Sequence, residues 1–261
     1  MLARWRAAGL VVPTLLTLAL LPVLLGLGAW QWQRKAWKED LIAKIESRKS
    51  AEPLSYDQAL ERAKTSGDVE YLRVRVTGIF DHAQERHVYA PRTTGSGWHV
   101  YTLFWPEHGA SLLFINRGWV PEALKDGAKR AEGQVGGTVT VTGLARKAEI
   151  KGHFTPENDL KGNRWYSRDL DGMRWGSENP PSPEKRAALP PDRYAPFAID
   201  ADAEPANPGG WPKGGVTEIR LFNSHLQYVV TWFGLALTLI GVFIAFARQR
   251  LAALDESQKP T

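Results

Sequence analysis

Two stretches of this chain carry no charged side chain, and they limit its fold more than any other feature. The first runs from Ala7 to Gln33 with a centre rich in Leu and Val, the second from Leu226 to Ala247. A helix rising about 1.5 Å per residue needs about 20 residues to cross a hydrocarbon core about 30 Å thick, so either stretch can span. Pro13 and Pro22 are expected to kink the first. A cleaved signal peptide is the rival reading there, because Leu27-Gly28-Ala29 loosely imitates a cleavage site. It is the weaker one: the run is about twice the length of a usual signal core, and Leu27 is large for its position. The second stretch stops at Arg248-Gln249-Arg250, while Trp5, Trp30, Trp32 and Trp232 lie near the ends of the two, at the depth an indole ring prefers. Gly234, Thr238, Gly241 and Ala245 follow small-xxx-small spacing. Either they admit a second helix, with the first span as nearest candidate, or they reflect only how common glycine is in membrane helices.

Two spans put both termini on one side and everything between on the other. Arg4 and Arg6 before the first span are matched by Arg34, Lys35 and Lys38 after it, so that span does not set the orientation. Arg248 and Arg250 favour a cytoplasmic C-terminus, which places the loop outside the cytoplasm. The expected fold class is membrane α+β, two transmembrane helices flanking an extracytoplasmic antiparallel β-rich domain. Its parts are an N-terminal tail (1–9), a first span (10–32), a helical connector (33–66), the β-rich domain (67–224) with a Pro-rich loop (177–215), a second span (225–247) and a tail (248–261).

The connector opens with Trp37, Leu41, Ile42 and Ile45 at helical intervals, an amphipathic continuation of the first span. A further helix is expected from Ser55, with Gln58 three residues on completing a capping box. After Gly67 the hydrophobic period becomes two. YLRVRVTGIF, RHVYAP, HVYTLFW, SLLFINRGWV and TVTVTGLAR are short, rich in β-formers and separated by turn residues, and RWYSRDL, FAID and EIRLF are candidate additions. They predict an antiparallel sheet, open or closed into a barrel. Between Pro180 and Pro212 lie nine of the 17 prolines, so that stretch is expected to be a connector.

The absence of cysteine excludes disulfides, thiolate zinc sites, Cys nucleophiles and covalent haem attachment through C-x-x-C-H, and with two methionines a copper carrier is a poor fit. The net charge of +5 is scattered among carboxylates, which argues against nucleic acid and for a mild attraction to anionic membrane lipid. No G-x-S-x-G or phosphate-binding loop occurs, and the Gly-Gly pairs at 136, 209 and 214 mark turns. Asp169 and Asp171, beside Arg168 and Arg174, are expected to form a salt-bridged surface. His82, His87, His99, His108 and His153 are dispersed, and residues five apart on a regular strand face opposite ways, so these are expected to be solvent-exposed or hydrogen-bonded. His225 differs. It stands at the start of the second span, where Tyr228, Val229 and Trp232 would share one helical side with it. A planar macrocycle with charged propionates suits such a boundary, and an imidazole can give its iron one axial bond. A histidine that merely hydrogen-bonds at the interface suits it too, and position leaves both readings open.

Further stretches bear on the choice. They are Tyr71-Leu72-Arg73-Val74-Arg75-Val76-Thr77-Gly78 with Phe80-Asp81, Pro91-Arg92, Gly97 with Val100 and Thr102, and Asn116-Arg117-Gly118-Trp119-Val120-Pro121. Then come Phe154-Thr155-Pro156-Glu157-Asn158, Trp165-Tyr166-Ser167-Arg168-Asp169 with Met173, and Asn223 with His225-Leu226-Gln227-Tyr228 and Thr231-Trp232. In this order, between two apolar spans, the chain resembles the Surfeit locus protein 1 family of cytochrome c oxidase assembly factors from Trp30 to about Gly241. The resemblance implies a non-enzymatic inner-membrane protein with its domain in the periplasm, or in the intermembrane space if mitochondrial. It implies a helper that binds haem a transiently and assists its insertion into subunit I, with haem A synthase as a further partner. His225 matches the family's histidine at the second span and so becomes the implied iron ligand, with Tyr228 and Trp232 beside it. Leu103 stands where proline often follows the threonine, and Phe222 where arginine often precedes the asparagine, leaving Arg220 as a substitute partner for a propionate. Arg117 could pair with a propionate, with a carboxylate of a partner protein, or within the fold; Trp119 is expected in the core. The alternative is a membrane scaffold that holds oxidase assembly intermediates without binding haem. A haem-modifying enzyme is disfavoured because two spans offer few ligands for both a substrate haem and a redox centre.

Overall fold

A computed structural model describes residues 2–109, 111–176, 192–215, 217 and 223–257. In chain order its principal elements are α1 (Leu2–Ala7), α2 (Val11–Ser50), β1 (Leu54–Ser55), α3 (Tyr56–Ser66), β2 (Arg73–Tyr89), β3 (Gly97–Pro106) and β4 (Leu113–Pro121). There follow β5 (Val139–Lys147), β6 (Arg164–Trp165), α4 (Leu170–Trp175), β7 (Phe197–Ala201) and α5 (His225–Ser257). The chain divides into a helical unit, 1–44 with 220–261, and a β-rich unit, 45–219.

In the helical unit, α2 and α5 are both long and apolar enough to cross a membrane. Side chains such as Leu15, Leu18, Val230 and Leu237 are more than half exposed, as lipid-facing residues would be. α2 runs through Pro22 without ending. Its start, at Val11, puts Pro13 in the first turn, where a missing N–H breaks no helical hydrogen bond. The two long helices pack antiparallel. Arg4 pairs with Asp255 at 2.6 Å, Trp5 meets Phe243 with ring centroids 6.4 Å apart, and Gly28 lies so close to the Phe233 ring that a Cβ would sit 2.9 Å from it. The first span thus supplies the small residue at the seam. Gly234, Thr238, Gly241 and Ala245 are exposed, with nothing within 4 Å of a Cβ built on either glycine, so that stripe does not face α2.

In the β-rich unit, Ser55 and Gln58 form the capping box expected of them, which begins α3, and Gly67 ends it in the left-handed conformation. YLRVRVTGIF and RHVYAP form one long strand, β2. Its first half pairs with β5 and its second with β3, and β4 and β7 complete a closed path β2, β3, β4, β7, β5. The sheet is therefore barrel-like but not wholly antiparallel, because β1–β2, β2–β6 and β4–β7 are parallel pairs. β7 can pair parallel with β4 because a long crossover separates them. β7 also lies inside the Pro-rich stretch, so that region is not a connector throughout. RWYSRDL yields two strand residues and then α4, whereas EIRLF and Arg220 fall outside the described residues.

Alternation along the strands sorts side chains between the two faces. Val74, Val76, Phe104, Leu113, Ile115, Phe197 and Ile199 fill the barrel interior, with Tyr56, Ala59 and Leu60 from α3 packed on them. Leu103, Leu112, Phe114 and Ala198 point outward and are covered by Trp165, Leu170 and Met173. Trp119 is in the core, its Nε1 donating to the Ala90 carbonyl at 2.8 Å. Gly118 has φ +130°, and an added Cβ would meet the Lys213 carbonyl oxygen at 2.0 Å, so only glycine lets 213 pair with Trp119 here.

Candidate functional site

α5 begins at His225. The imidazole is half-buried, and its Nδ1 lies 2.7 Å from Oε1 of Gln31 on α2. An amide oxygen only accepts, so in this contact Nδ1 is the donor and Nε2 is the nitrogen turned away from Gln31. No described residue bonds Nε2. Val229, four residues on, and Ala236, eleven on, are buried, and the half-buried Trp232 at seven lies on the same helical side. Tyr228 does not join them: it is 50% exposed and turned outward. Among the described residues, buried Oδ1 of Asn223 and Nε1 of Trp232 have no hydrogen-bond partner. The first turns of a membrane-length helix thus carry an imidazole whose Nε2 has no partner among the described residues, at the end of a buried apolar side.

Arg117 belongs to the β-rich unit. Continuing the alternation of Leu113 and Ile115, it enters the barrel interior with its side chain 1% exposed. There it donates to the Gly133 carbonyl and to Oδ1 of Asn207 at 2.9 Å, lies 4.8 Å over the Phe80 ring, and stands 3.9 Å from Glu85. Burial pushes its pKa down to about 10, against the pull of Glu85. Its polar head serves the fold.

Glu85 is the residue that sequence reasoning missed. A break in register between Asp81 and Glu85 on β2 leaves residues 82–84 without partners on β3, which resets the alternation. His82, Glu85 and His87 consequently converge, although two histidines five apart were expected on opposite faces. Arg130 grips Glu85 with both guanidinium nitrogens, His87 Nε2 lies 3.5 Å away and His82 Nδ1 3.9 Å away. Burial opposes ionisation, but His82, His87 and Arg130 outweigh it and hold the carboxyl far below the usual range. With two arginines in contact, the cluster is a buried ion network; among the described residues no group of three or more His, Asp or Glu is arranged to hold a metal ion.

A second polar network lies on the outer face. Asp200, 5% exposed, accepts from Asn116 at 3.0 Å, Arg146 at 2.8 Å and Thr217 at 2.7 Å. His99 beside it is pushed down to about 4 by burial, with Asp200 acting in the opposite direction. Asp169 caps α4 through the Gly172 N–H at 2.9 Å, and Asp171 pairs with Arg174 at 2.9 Å, so both carboxylates belong to a helix start and its surface.

Comparison with known proteins places these features. The chain is 36% identical over 239 residues to a "SURF1-like protein" of Monosiga brevicollis, covering 87% of this chain and 84% of that one. It is 37% identical over 237 residues to "Surfeit locus protein 1" of Homo sapiens, covering 84% and 72%, and 30% identical over 228 residues to the "SURF1-like protein" of Drosophila melanogaster, covering 81% and 69%. The model of the "SURF1 family" matches residues 18–237, which include part of the first span, the β-rich unit and the start of α5. The chain belongs to the SURF1 family.

Proposed function

We propose that this chain is a membrane-anchored assembly factor for cytochrome c oxidase that binds haem a and assists its insertion into subunit I, without catalytic turnover. Family membership supports the role in oxidase assembly, two helices of membrane-crossing length support a membrane protein, and Arg248 and Arg250 after the second favour the β-rich unit on the periplasmic side. The observation that carries the haem reading is the state of His225. It presents a half-buried ring whose Nδ1 is already engaged and whose Nε2 has no partner among the described residues, beside Val229 and Trp232. This donor set fits an iron porphyrin bound through one axial nitrogen. A single ligand suits cargo that must be handed on, whereas Arg117 is kept for the fold. When bound, the haem would supply the iron; the chain supplies the imidazole and the lipid-boundary site. Haem A synthase is the proposed source of the cargo.

The test is purification of the full chain from cells that make haem a. The wild type is expected to carry a Soret band that His225→Ala loses. Undiminished haem and full oxidase assembly in that variant would overturn the ligand assignment. One observation favours a scaffold instead: the small-residue stripe of α5 faces away from α2. That reading expects oxidase subunits to co-purify with the wild type and no haem under any supply.

A further inference from the structure

The bond between Gln31 and His225 joins two polar side chains that membrane-length helices rarely carry, one from each helix. Gln31 sits near the end of a run without charge, four residues beyond Leu27, where a leucine or alanine would satisfy helix propensity and burial alike. Instead it supplies an amide whose oxygen lies 2.7 Å from Nδ1 of the histidine.

We infer that Gln31 is a positioning residue for the His225 ligand: its Oε1 fixes the Nδ1-protonated tautomer and the ring orientation, so that Nε2 is the nitrogen presented to iron. This rests on the haem reading of the site and deepens it. With Oε1 turned toward the ring, as here, the contact matches the tautomer protonated on Nδ1, since an amide oxygen has no proton to give. A lone imidazole on the first turn of a helix turns about its side-chain bonds, and a fixed partner on a second helix removes that freedom. A hydrogen bond from the far nitrogen also raises the donor strength of the near one toward a metal. Because the partner comes from α2, ligand geometry is tied to the seam at which Gly28 meets Phe233. Loosening the seam would release the ring, which gives a single-ligand carrier a way to weaken its hold.

A purely structural role, a polar tie between helices, makes the competing expectation. It predicts that loss of the bond loosens the helix pair and leaves the iron–nitrogen bond unchanged. Three full-length variants in detergent micelles separate the two: Gln31→Leu, Gln31→Glu and His225→Ala. Each is titrated with haem a and read by Soret position, electron paramagnetic resonance of the ferric form and dissociation constant. Gln31→Leu removes the acceptor at similar volume and is expected to weaken haem binding by roughly 10–100-fold and to alter the low-field signals. Gln31→Glu keeps an acceptor and is expected to restore binding, with a lower midpoint potential because a carboxylate strengthens the donor. Apo protein provides a readout independent of haem. In wild type with 15N-labelled histidine, the resonance that vanishes in His225→Ala is expected to report a proton on Nδ1. An Nε2-protonated ring there, or a Gln31→Leu protein with unchanged affinity and spectra while His225→Ala loses haem, overturns the positioning role and leaves the ligand assignment standing. Retention of haem by His225→Ala overturns the assignment itself.

Discussion

Replacing Glu85 by Gln removes one negative charge from the barrel interior and leaves Arg130 and Arg117, each with a side chain 1% exposed, facing a neutral amide. The carboxylate now receives both guanidinium nitrogens of Arg130 and stands 3.9 Å from Arg117. Removing one partner of a buried pair strands the other charge, and such changes cost about 3–5 kcal/mol. In a unit the size of residues 45–219, each kcal/mol moves the melting temperature by about 2–4 °C, so a fall of roughly 6–20 °C is expected. The assay is thermal and denaturant unfolding of the full chain in micelles, followed by fluorescence of the buried Trp98, Trp119 and Trp165. A cycle with Arg130→Met isolates the pair: the double variant should lose at least about 1 kcal/mol less than the sum of the singles. A Glu85→Gln protein within about 0.5 kcal/mol of wild type, or an additive cycle, would refute the claim that this network holds the barrel together.

Stability should also fall in acid. His99 drops from 6.5 to about 4 on folding, so the unfolded chain binds the extra proton between those values; its contribution is complete above pH 6.5 and declines as the pH approaches 4. Glu85, held below its ordinary 4.5, adds a second loss as the pH falls further. Melting temperatures across this range should show both, with His99→Gln flattening the upper part, and constant stability from pH 7 to 4 would count against the burial argument. Gly118→Ala should cost more than about 2 kcal/mol in the same unfolding assay, because it strains a positive φ and drives a methyl into the Lys213 carbonyl; a loss under about 0.5 kcal/mol would mean the 213 strand pairing yields easily.

Much of this protein was legible before its structure. Runs free of charge over Ala7–Gln33 and Leu226–Ala247 can bury themselves only in lipid or in a large core, so length and hydropathy alone announced α2 and α5. The capping box at Ser55 was visible because its chemistry is complete within four residues. The large aromatic side chain of Trp119 pointed to the core, where the structure has it. Local pattern failed where a contact joins residues distant in sequence. Nothing around Glu85 signals a break in register, yet that break turns His82, Glu85 and His87 onto one ion network with Arg130, whose position depends on a separate turn. The parallel pairing of β4 with β7 depends on a crossover whose course periodicity does not encode.

The helical site divides along the same line. Sequence established that an imidazole stands where a membrane-length helix starts, because position and hydropathy are properties of the chain itself. Only the tertiary structure decided which sides of α5 are spent: His225, Val229 and Trp232 lie along its buried side, while Tyr228 and the small stripe face out. It also decided which nitrogen of His225 is engaged, Nδ1 against Oε1 of Gln31, 194 positions away along the chain. Backbone periodicity fixes the direction of a side chain on its own helix, and a hydrogen bond between helices fixes what that side chain can do.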